Sequence, residues 1–97
     1  MPPVTRIGDS CTGHGSFPPR PSTSGSSNVF VNNIGAHRQG DSYAPHSSRS
    51  PSPPHGSSLA AGSGTVYCNA VQLGRIGDPV ACGSAAAAGS GNVFAGG

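Results

Sequence analysis

The chain has 97 residues, of which only 8% are charged, and its five arginines against three acidic residues give a net charge of +2. With no basic stripe, no apolar run near 20 residues and no signal peptide, the sequence argues against nucleic-acid binding, a membrane span and signal-peptide export. Its 16 glycines and 10 prolines are typical of disorder, because so little apolar surface hardly offsets the entropy lost on folding.

An internal repeat argues against disorder. Three segments share the pattern Arg-x-Gly-Asp, and a second motif alternates with them as GSSNVFVNN, GSGTVYCNA and GSGNVFAGG. Self-similarity of this kind indicates one structural unit used several times. We therefore predict a single domain over residues 1–97 with three units, at about 1–33, 34–70 and 71–97. The Arg-x-Gly-Asp segments are RIGDSCTGH from Arg6, RQGDSYAPH from Arg38 and RIGDPVAC from Arg75.

Short hairpins follow from the second motif. VFV and IGAHR flank Asn32-Asn33, and VYC and VQLGR flank Asn69-Ala70, so each set predicts strand, tight turn, strand. The first strand, PVTRI, and the last, NVFA, lack such partners, and we expect them to pair. This closes three hairpins around an approximate threefold axis and removes two strand edges. The Ala-rich SAAAAGSG segment is too short for a stable helix.

Each Arg-x-Gly-Asp segment ends on a side chain that can bind a metal. His14, His46 and Cys82 occupy the same position in the three units, so threefold closure would bring them together. His55, beyond the Pro-rich SSRSPSPP loop, is the natural fourth ligand. Three imidazoles and one thiolate favour a closed tetrahedral Zn²⁺ site with no open position for catalysis.

The other thiols and imidazole align with residues that bind no metal. Cys11 and Cys68 align with mostly apolar residues of the other units, so we predict that both are packed in the core. The sequence leaves open whether they are free or form a disulfide, although three cysteines do not suit a framework of disulfides alone. His37 aligns with Thr5 and Gly74, and we predict that it is an exposed strand residue.

No catalytic pattern stands out. We expect the repeated aspartates, Asp9, Asp41 and Asp78, to accept turn amides or to pair with a nearby arginine. The Gly-Ser stretches lack the lysine and following helix of a phosphate-binding loop. The sequence therefore predicts a protein that is not an enzyme.

Three segments resemble degenerate Pro-Ala-Ala-Arg-x-Gly-Asp repeats of the PAAR-repeat family: PVTRIGD, GAHRQGD and QLGRIGD. Members of this family are tip proteins of contractile injection machines. The interleaved NVFVNN, TVYCNA and NVFAGG segments and the late Cys82 fit as well, so the resemblance covers essentially the whole chain. No copy spells Pro-Ala-Ala-Arg itself. The resemblance implies a small all-β cone with long Gly/Pro/Ser loops and a zinc ion near its apex, and by position its ligands are His14, His46, His55 and Cys82.

The resemblance also implies a function. The broad base of the cone would cap and sharpen a trimeric β-helical spike, either of a phage tail or of a type VI secretion system, for piercing a target cell envelope. One chain with three similar units suits one trimer, with the Val, Phe and Tyr residues of the hairpins as the contact surface. The tip would touch the target membrane transiently and have no small-molecule substrate. It would be made in the bacterial cytoplasm and end up at the virion baseplate or be secreted.

Two alternatives come from other classes of protein. The first is a small zinc-dependent hydrolase, in which three histidines hold the metal and water takes the fourth position. The second is a disordered Pro/Ser-rich interaction segment. A water molecule as the fourth zinc ligand would distinguish the hydrolase from a spike tip, and the absence of a folded structure would distinguish the interaction segment.

Overall fold

The computed structural model describes residues 1–15, 17–46 and 55–96 and measures 39 × 23 × 23 Å. The described residues contain no helix, and their six strands make three antiparallel pairs, which confirms the expected all-β class. None of them forms a helix long and apolar enough to span a bilayer. The strands are β1 (Phe30–Val31), β2 (Ile34–Gly35), β3 (Ser42–His46), β4 (His55–Ser58), β5 (Tyr67–Cys68) and β6 (Val71–Gln72).

Both complete hairpins predicted from the second motif are present. β1 pairs with β2 and β5 pairs with β6, each across a turn of two residues. All four turn residues have positive φ: 54° and 65° at Asn32 and Asn33, and 53° and 67° at Asn69 and Ala70. Such turns match the right-handed twist of the strands, and asparagine adopts this backbone region more readily than most residues. The two-residue turns therefore fix the register of both hairpins.

Ala70 is the poorest residue for its place in these turns. Its φ of 67° brings an L-alanine Cβ close to the backbone, whereas glycine has no such penalty. We expect Ala70→Gly to stabilise the protein by about 0.5–1 kcal/mol, measured by urea denaturation. Asn33→Gly is the matched control and should change stability less, because asparagine already tolerates this conformation. A loss of stability in Ala70→Gly would contradict the expectation.

The first and last strands of the chain pair, as predicted. Pro3 is the antiparallel partner of Phe94, and the Val4 amide donates to the Val93 carbonyl at 2.9 Å. The Ala95 amide donates in return to the Pro2 carbonyl at 3.1 Å. Strand edges at the two ends of the described chain therefore cover each other.

Three backbone hydrogen bonds form a closed ring in the middle of the molecule, which we call the central ring. Thr5 donates to Gly74 at 2.9 Å, Gly74 donates to His37 at 2.9 Å, and His37 donates to Thr5 at 3.0 Å. A Cβ at Gly74 would lie 2.5 Å from Thr5 Oγ1 and 2.6 Å from a Leu59 methyl carbon. Only glycine fits there, so the ring joins one segment from each predicted unit at close range.

Two apolar clusters lie on either side of the central ring. The hairpin core includes Val4 and Ala36, which directly precede ring residues in the chain, and its other members are Val31, Cys68, Leu73 and Ala95. The second cluster, the Tyr43 core, meets the other side of the ring through Leu59 and Tyr43. It consists of Cys11, Tyr43, Leu59, Val80 and Ala86, with Cys82 packed against it.

The prediction for the two packed thiols is confirmed. Cys11 and Cys68 are both buried and both free, and they belong to the Tyr43 core and the hairpin core respectively. Their positions therefore make them packing residues of separate clusters. The disulfide that the sequence left open is absent.

The prediction for His37 is wrong, because its side chain is fully buried with 0% exposed. The alignment correctly placed it level with Thr5 and Gly74, but these three positions form the central ring rather than a surface strand. A threonine and a glycine leave room at the ring for one large side chain, and the imidazole fills it. Its edge meets the Tyr43 ring, with centroids 4.9 Å apart.

Candidate metal centre

Three pairs of antiparallel segments surround the Tyr43 core and contact one another in a closed circle. The first pair joins residues 10–14 to 17–22, the second is the β3–β4 hairpin, and the third joins residues 79–80 to 84–86. Because all the pairings between and within them are antiparallel, their three tips lie at one end of the molecule, which we call the tip end. The pairings that close the circle are Ser10–Pro21, Ser22–Tyr43, Tyr43–Ser57, Leu59–Val80, Pro79–Ala85 and Cys11–Ala86.

His14 lies at the tip of the first pair. Its backbone exchanges two hydrogen bonds with Phe17, at 3.0 and 2.8 Å, and the two rings are tilted with centroids 4.9 Å apart. Gly13 and Gly15 on either side have φ of 72° and 54°, so the chain reverses sharply here. The half-buried imidazole is thus held on a tight turn.

His46 and His55 are direct antiparallel partners in the β3–β4 hairpin. Opposite residues in such a pair have Cα atoms about 4.5–5.5 Å apart, so the register brings the two histidine backbones together. The sequence analysis did not predict this hairpin, because Ser-Tyr-Ala-Pro-His and His-Gly-Ser-Ser carry little β-propensity beyond Tyr43. The SSRSPSPP loop expected between them lies outside the described residues.

Cys82 lies at the tip of the third pair, where the Gly83 amide donates to the Val80 carbonyl at 3.0 Å. Its thiol is free and half-buried. The first tip is adjacent: Thr12 donates to the Ala85 carbonyl at 2.8 Å, and the Thr12 and Ser84 hydroxyls are 3.2 Å apart. His14 and Cys82 therefore lie on neighbouring segments, each two residues beyond this contact.

The backbone thus places all four predicted ligands on tips at the same end. Within the part of the chain that the structure describes, no group of three or more His, Cys, Asp or Glu side chains is arranged to hold a metal ion. The imidazoles of His46 and His55 fall outside that part. The ligand set of His14, His46, His55 and Cys82 therefore stays a prediction.

The Arg-x-Gly-Asp segments are structural turns, as predicted. In each turn the aspartate accepts hydrogen bonds from the backbone amide of the arginine and from Nε and Nη2 of its guanidinium. The ion pairs Arg6–Asp9, Arg38–Asp41 and Arg75–Asp78 measure 2.8, 2.8 and 2.9 Å. Burial favours the neutral acid at Asp41, but hydrogen bonds from Arg38 outweigh it and hold the pKa of this carboxyl below its usual value.

Exposed aromatic side chains mark the opposite side of the central ring from the tips. Phe30, Tyr67 and Phe94 are 59%, 57% and 49% exposed, and each directly follows a valine in the second motif. Val29 and Val66 are exposed as well. A small soluble chain rarely exposes several large apolar residues at matching positions unless another surface covers them.

The family of the chain follows from a comparison of its sequence with models of known protein families. A model of the PAAR motif matches residues 12–88, well over half of the chain. The chain belongs to the PAAR-motif family. No curated protein matches it.

The PAAR family is a structural family whose members sit on the spike proteins of contractile injection machines, in phage tails or type VI secretion systems. Membership therefore supports a spike-tip role for this chain, consistent with the expectation that it is not an enzyme. The match covers His14, His46, His55 and Cys82 but not the first strand or the last one.

One polar network of this PAAR chain was not predicted from the sequence. Arg6 Nη1 donates to the Asn32 side-chain oxygen at 3.2 Å, and Arg38 Nη1 donates to that of Asn69 at 2.9 Å. Arg75 Nη1 donates at 3.0 Å to the Gly96 backbone carbonyl instead. Each arginine thus ties its Arg-x-Gly-Asp turn to a turn at the aromatic end. The recurrence of asparagine at the first turn position, in Asn32 and Asn69, was the available signal.

Proposed function

We propose that one copy of this chain caps the end of a trimeric β-helical spike, with its aromatic end against the spike and its tip end leading. The observation that carries the proposal is the exposure of Phe30, Tyr67 and Phe94 at matching positions of the three units. A trimer with threefold symmetry presents three equivalent surfaces, and a single chain can match them only if it repeats its own contact three times.

An approximate threefold arrangement of the single domain is part of this proposal. It is supported by the central ring, in which Thr5, His37 and Gly74 each donate one backbone bond and accept one. The glycines of the Arg-x-Gly-Asp turns also agree, with φ of 94°, 91° and 95° at Gly8, Gly40 and Gly77. The two shorter dimensions of the molecule are equal, at 23 Å each, as expected for a cone viewed along its axis.

A zinc ion at the tip end is the second part of the proposal, with His14, His46, His55 and Cys82 as its ligands. The placement of all four on hairpin tips at one end supports it, as does the donor set of imidazole and thiolate, which Zn²⁺ favours. Metal binding contributes about 10 kcal/mol or more to the folding of small zinc domains. A core as small as the Tyr43 core needs a staple of this kind to form a rigid point.

The two ends then have separate tasks. The aromatic end transmits the thrust of a contracting sheath from the spike into the tip, and the metal holds the three hairpin tips together as they meet the target envelope. No step of this action requires an open coordination position or a substrate pocket. The same cone would serve a phage tail or a type VI secretion system.

Stoichiometry tests the docking proposal. Purified chain should be mixed with the truncated trimeric β-helix of a spike protein from the same source, and the mass of the complex measured by light scattering after size exclusion. We expect one chain per trimer, because one chain supplies three contacts. A complex with three chains per trimer would refute the threefold match, and the absence of any complex would refute docking.

A further inference from the structure

The buried imidazole of His37 has one hydrogen-bonded nitrogen and one without a partner. Nδ1 lies 2.9 Å from the Ser24 carbonyl oxygen, which can only accept, so Nδ1 carries the proton in the neutral ring. Nε2 is buried and has no hydrogen-bond partner among the described residues, and the same holds for Thr5 Oγ1. Buried polar atoms without partners are rare, so this nitrogen requires an explanation.

Among the residues that the structure describes, no acceptor lies within hydrogen-bonding distance of a proton on Nε2. The Tyr43 ring meets the imidazole edge, and burial raises the pKa of this phenol, so it remains uncharged. Among the described residues, the charged groups that act on His37 are Asp41, Asp9 and Arg38. Both carboxylates are already committed to the ion pairs of their own turns. Thr5, Gly74 and Ser24 carry no charge.

The same residue is part of the central ring. The His37 amide donates to Thr5, and its carbonyl accepts from Gly74. An imidazolium that moves towards water must therefore pull on two of the three backbone bonds that join the units. The unpartnered nitrogen and two of the three ring bonds therefore belong to one residue.

We propose that His37 is an acid-sensitive latch of the central ring: the ring is closed while the imidazole is neutral and opens when Nε2 takes up a proton. The latch makes the tip loosen in acidic surroundings, independently of what the aromatic end binds. Burial lowers the pKa of His37, with the Ser24 carbonyl and Asp41 opposing this only in part.

The direction of the pH effect follows from this difference. The folded pKa is below the unfolded value of about 6.5, so below that pH the unfolded chain binds one proton more. Stability is therefore lost as the pH falls from about 6.5 towards the folded pKa. The unfolding equilibrium constant rises by up to about tenfold for each pH unit in this range.

His37→Asn is the matched variant, because the side-chain amide of asparagine can still donate to the Ser24 carbonyl but does not titrate. Urea unfolding of the Zn²⁺-saturated proteins should be compared at pH 7.5 and 5.0, with a zinc indicator in the same samples. The other three histidines and Cys82 are common to both proteins, so acid release of zinc cancels in the comparison. We expect the equilibrium constant of the wild type to rise more than that of His37→Asn, by a factor of up to about 30, the limit set by an unfolded pKa of about 6.5. An equal pH dependence of the two proteins would overturn the proposal.

A measurement on the wild-type protein covers the case in which His37→Asn does not fold. The ¹³C and ¹⁵N shifts of the His37 ring should show that the neutral Nδ1-H tautomer of the folded protein persists below about pH 6.5, the ordinary pKa of a histidine. Titration of His37 near pH 6.5 with the folded spectrum unchanged would overturn the latch, because the ring would then tolerate the charge.

Discussion

Replacing Cys82 by alanine is expected to abolish tight zinc binding and to lower the melting temperature by about 40 °C or more. The loss of one of four ligands opens the proposed site, and the folding free energy that the metal supplies, about 10 kcal/mol or more, is then lost. For a domain of this size, each kcal/mol corresponds to about 4–8 °C. A chelator should bring the wild type to the same melting temperature and leave Cys82→Ala nearly unchanged. If the chelator destabilises both proteins equally, Cys82 is not a ligand.

Cobalt substitution provides the spectroscopic counterpart of this experiment. We expect the wild type to show a thiolate-to-cobalt charge-transfer band that Cys82→Ala lacks. Cys68→Ala is the matched control, because Cys68 is a buried free thiol in the hairpin core, on the far side of the central ring. It should be less stable yet keep the band. A spectrum of histidine ligands with an exchangeable water, unchanged in Cys82→Ala, would favour the hydrolase alternative.

Substitution of one exposed aromatic residue by aspartate is expected to weaken spike binding by about 100-fold or more, which corresponds to about 2.7 kcal/mol. Phe30, Tyr67 and Phe94 should give comparable losses, because each lies at the matching position of its unit. A buried carboxylate without a partner at the interface adds its desolvation cost to the lost contact area. The dissociation constant for the truncated trimeric spike can be measured by calorimetry.

Ala60→Asp is the control for this series. Ala60 is exposed but follows β4, outside the aromatic hairpins, so the added charge should leave spike binding unchanged. The melting temperatures of all four variants should stay close to that of the wild type. Strong binding by the three aromatic variants would place the spike contact elsewhere on the molecule.

The repeat register predicted the parts of the fold that depend on local chemistry. Asn32-Asn33 and Asn69-Ala70 adopt the positive φ that a two-residue hairpin turn requires, and the pairing of Pro3 with Phe94 followed from counting strands without partners. The burial of Cys11 and Cys68 followed from the mostly apolar residues at the matching positions of the other units. Residues at matching positions of a repeat have similar burial and backbone conformation, so the aligned residues predict one another's surroundings.

The repeat register gave a wrong prediction at His37, where three aligned residues meet in one small volume. Thr5, His37 and Gly74 meet in the central ring, which accommodates a single large side chain, so the burial of His37 depends on how small its two counterparts are. The β3–β4 hairpin was missed because its strands carry few β-prone residues and are held by neighbouring segments. At the candidate metal centre, the three tips lie at the same end of the molecule because neighbouring segments pair antiparallel. The sequence of one segment alone does not predict these pairings.

The pairing of Val4 with Val93 has a consequence for how the protein is made. The central ring and the strand pairs around it join residues that are far apart in the chain, so the fold has a high contact order and should form slowly, in milliseconds to seconds. A ribosome must release Phe94 before the first strand finds its partner. Until then the nascent chain exposes unpaired strand edges. The fold can therefore be completed only after translation has passed Phe94.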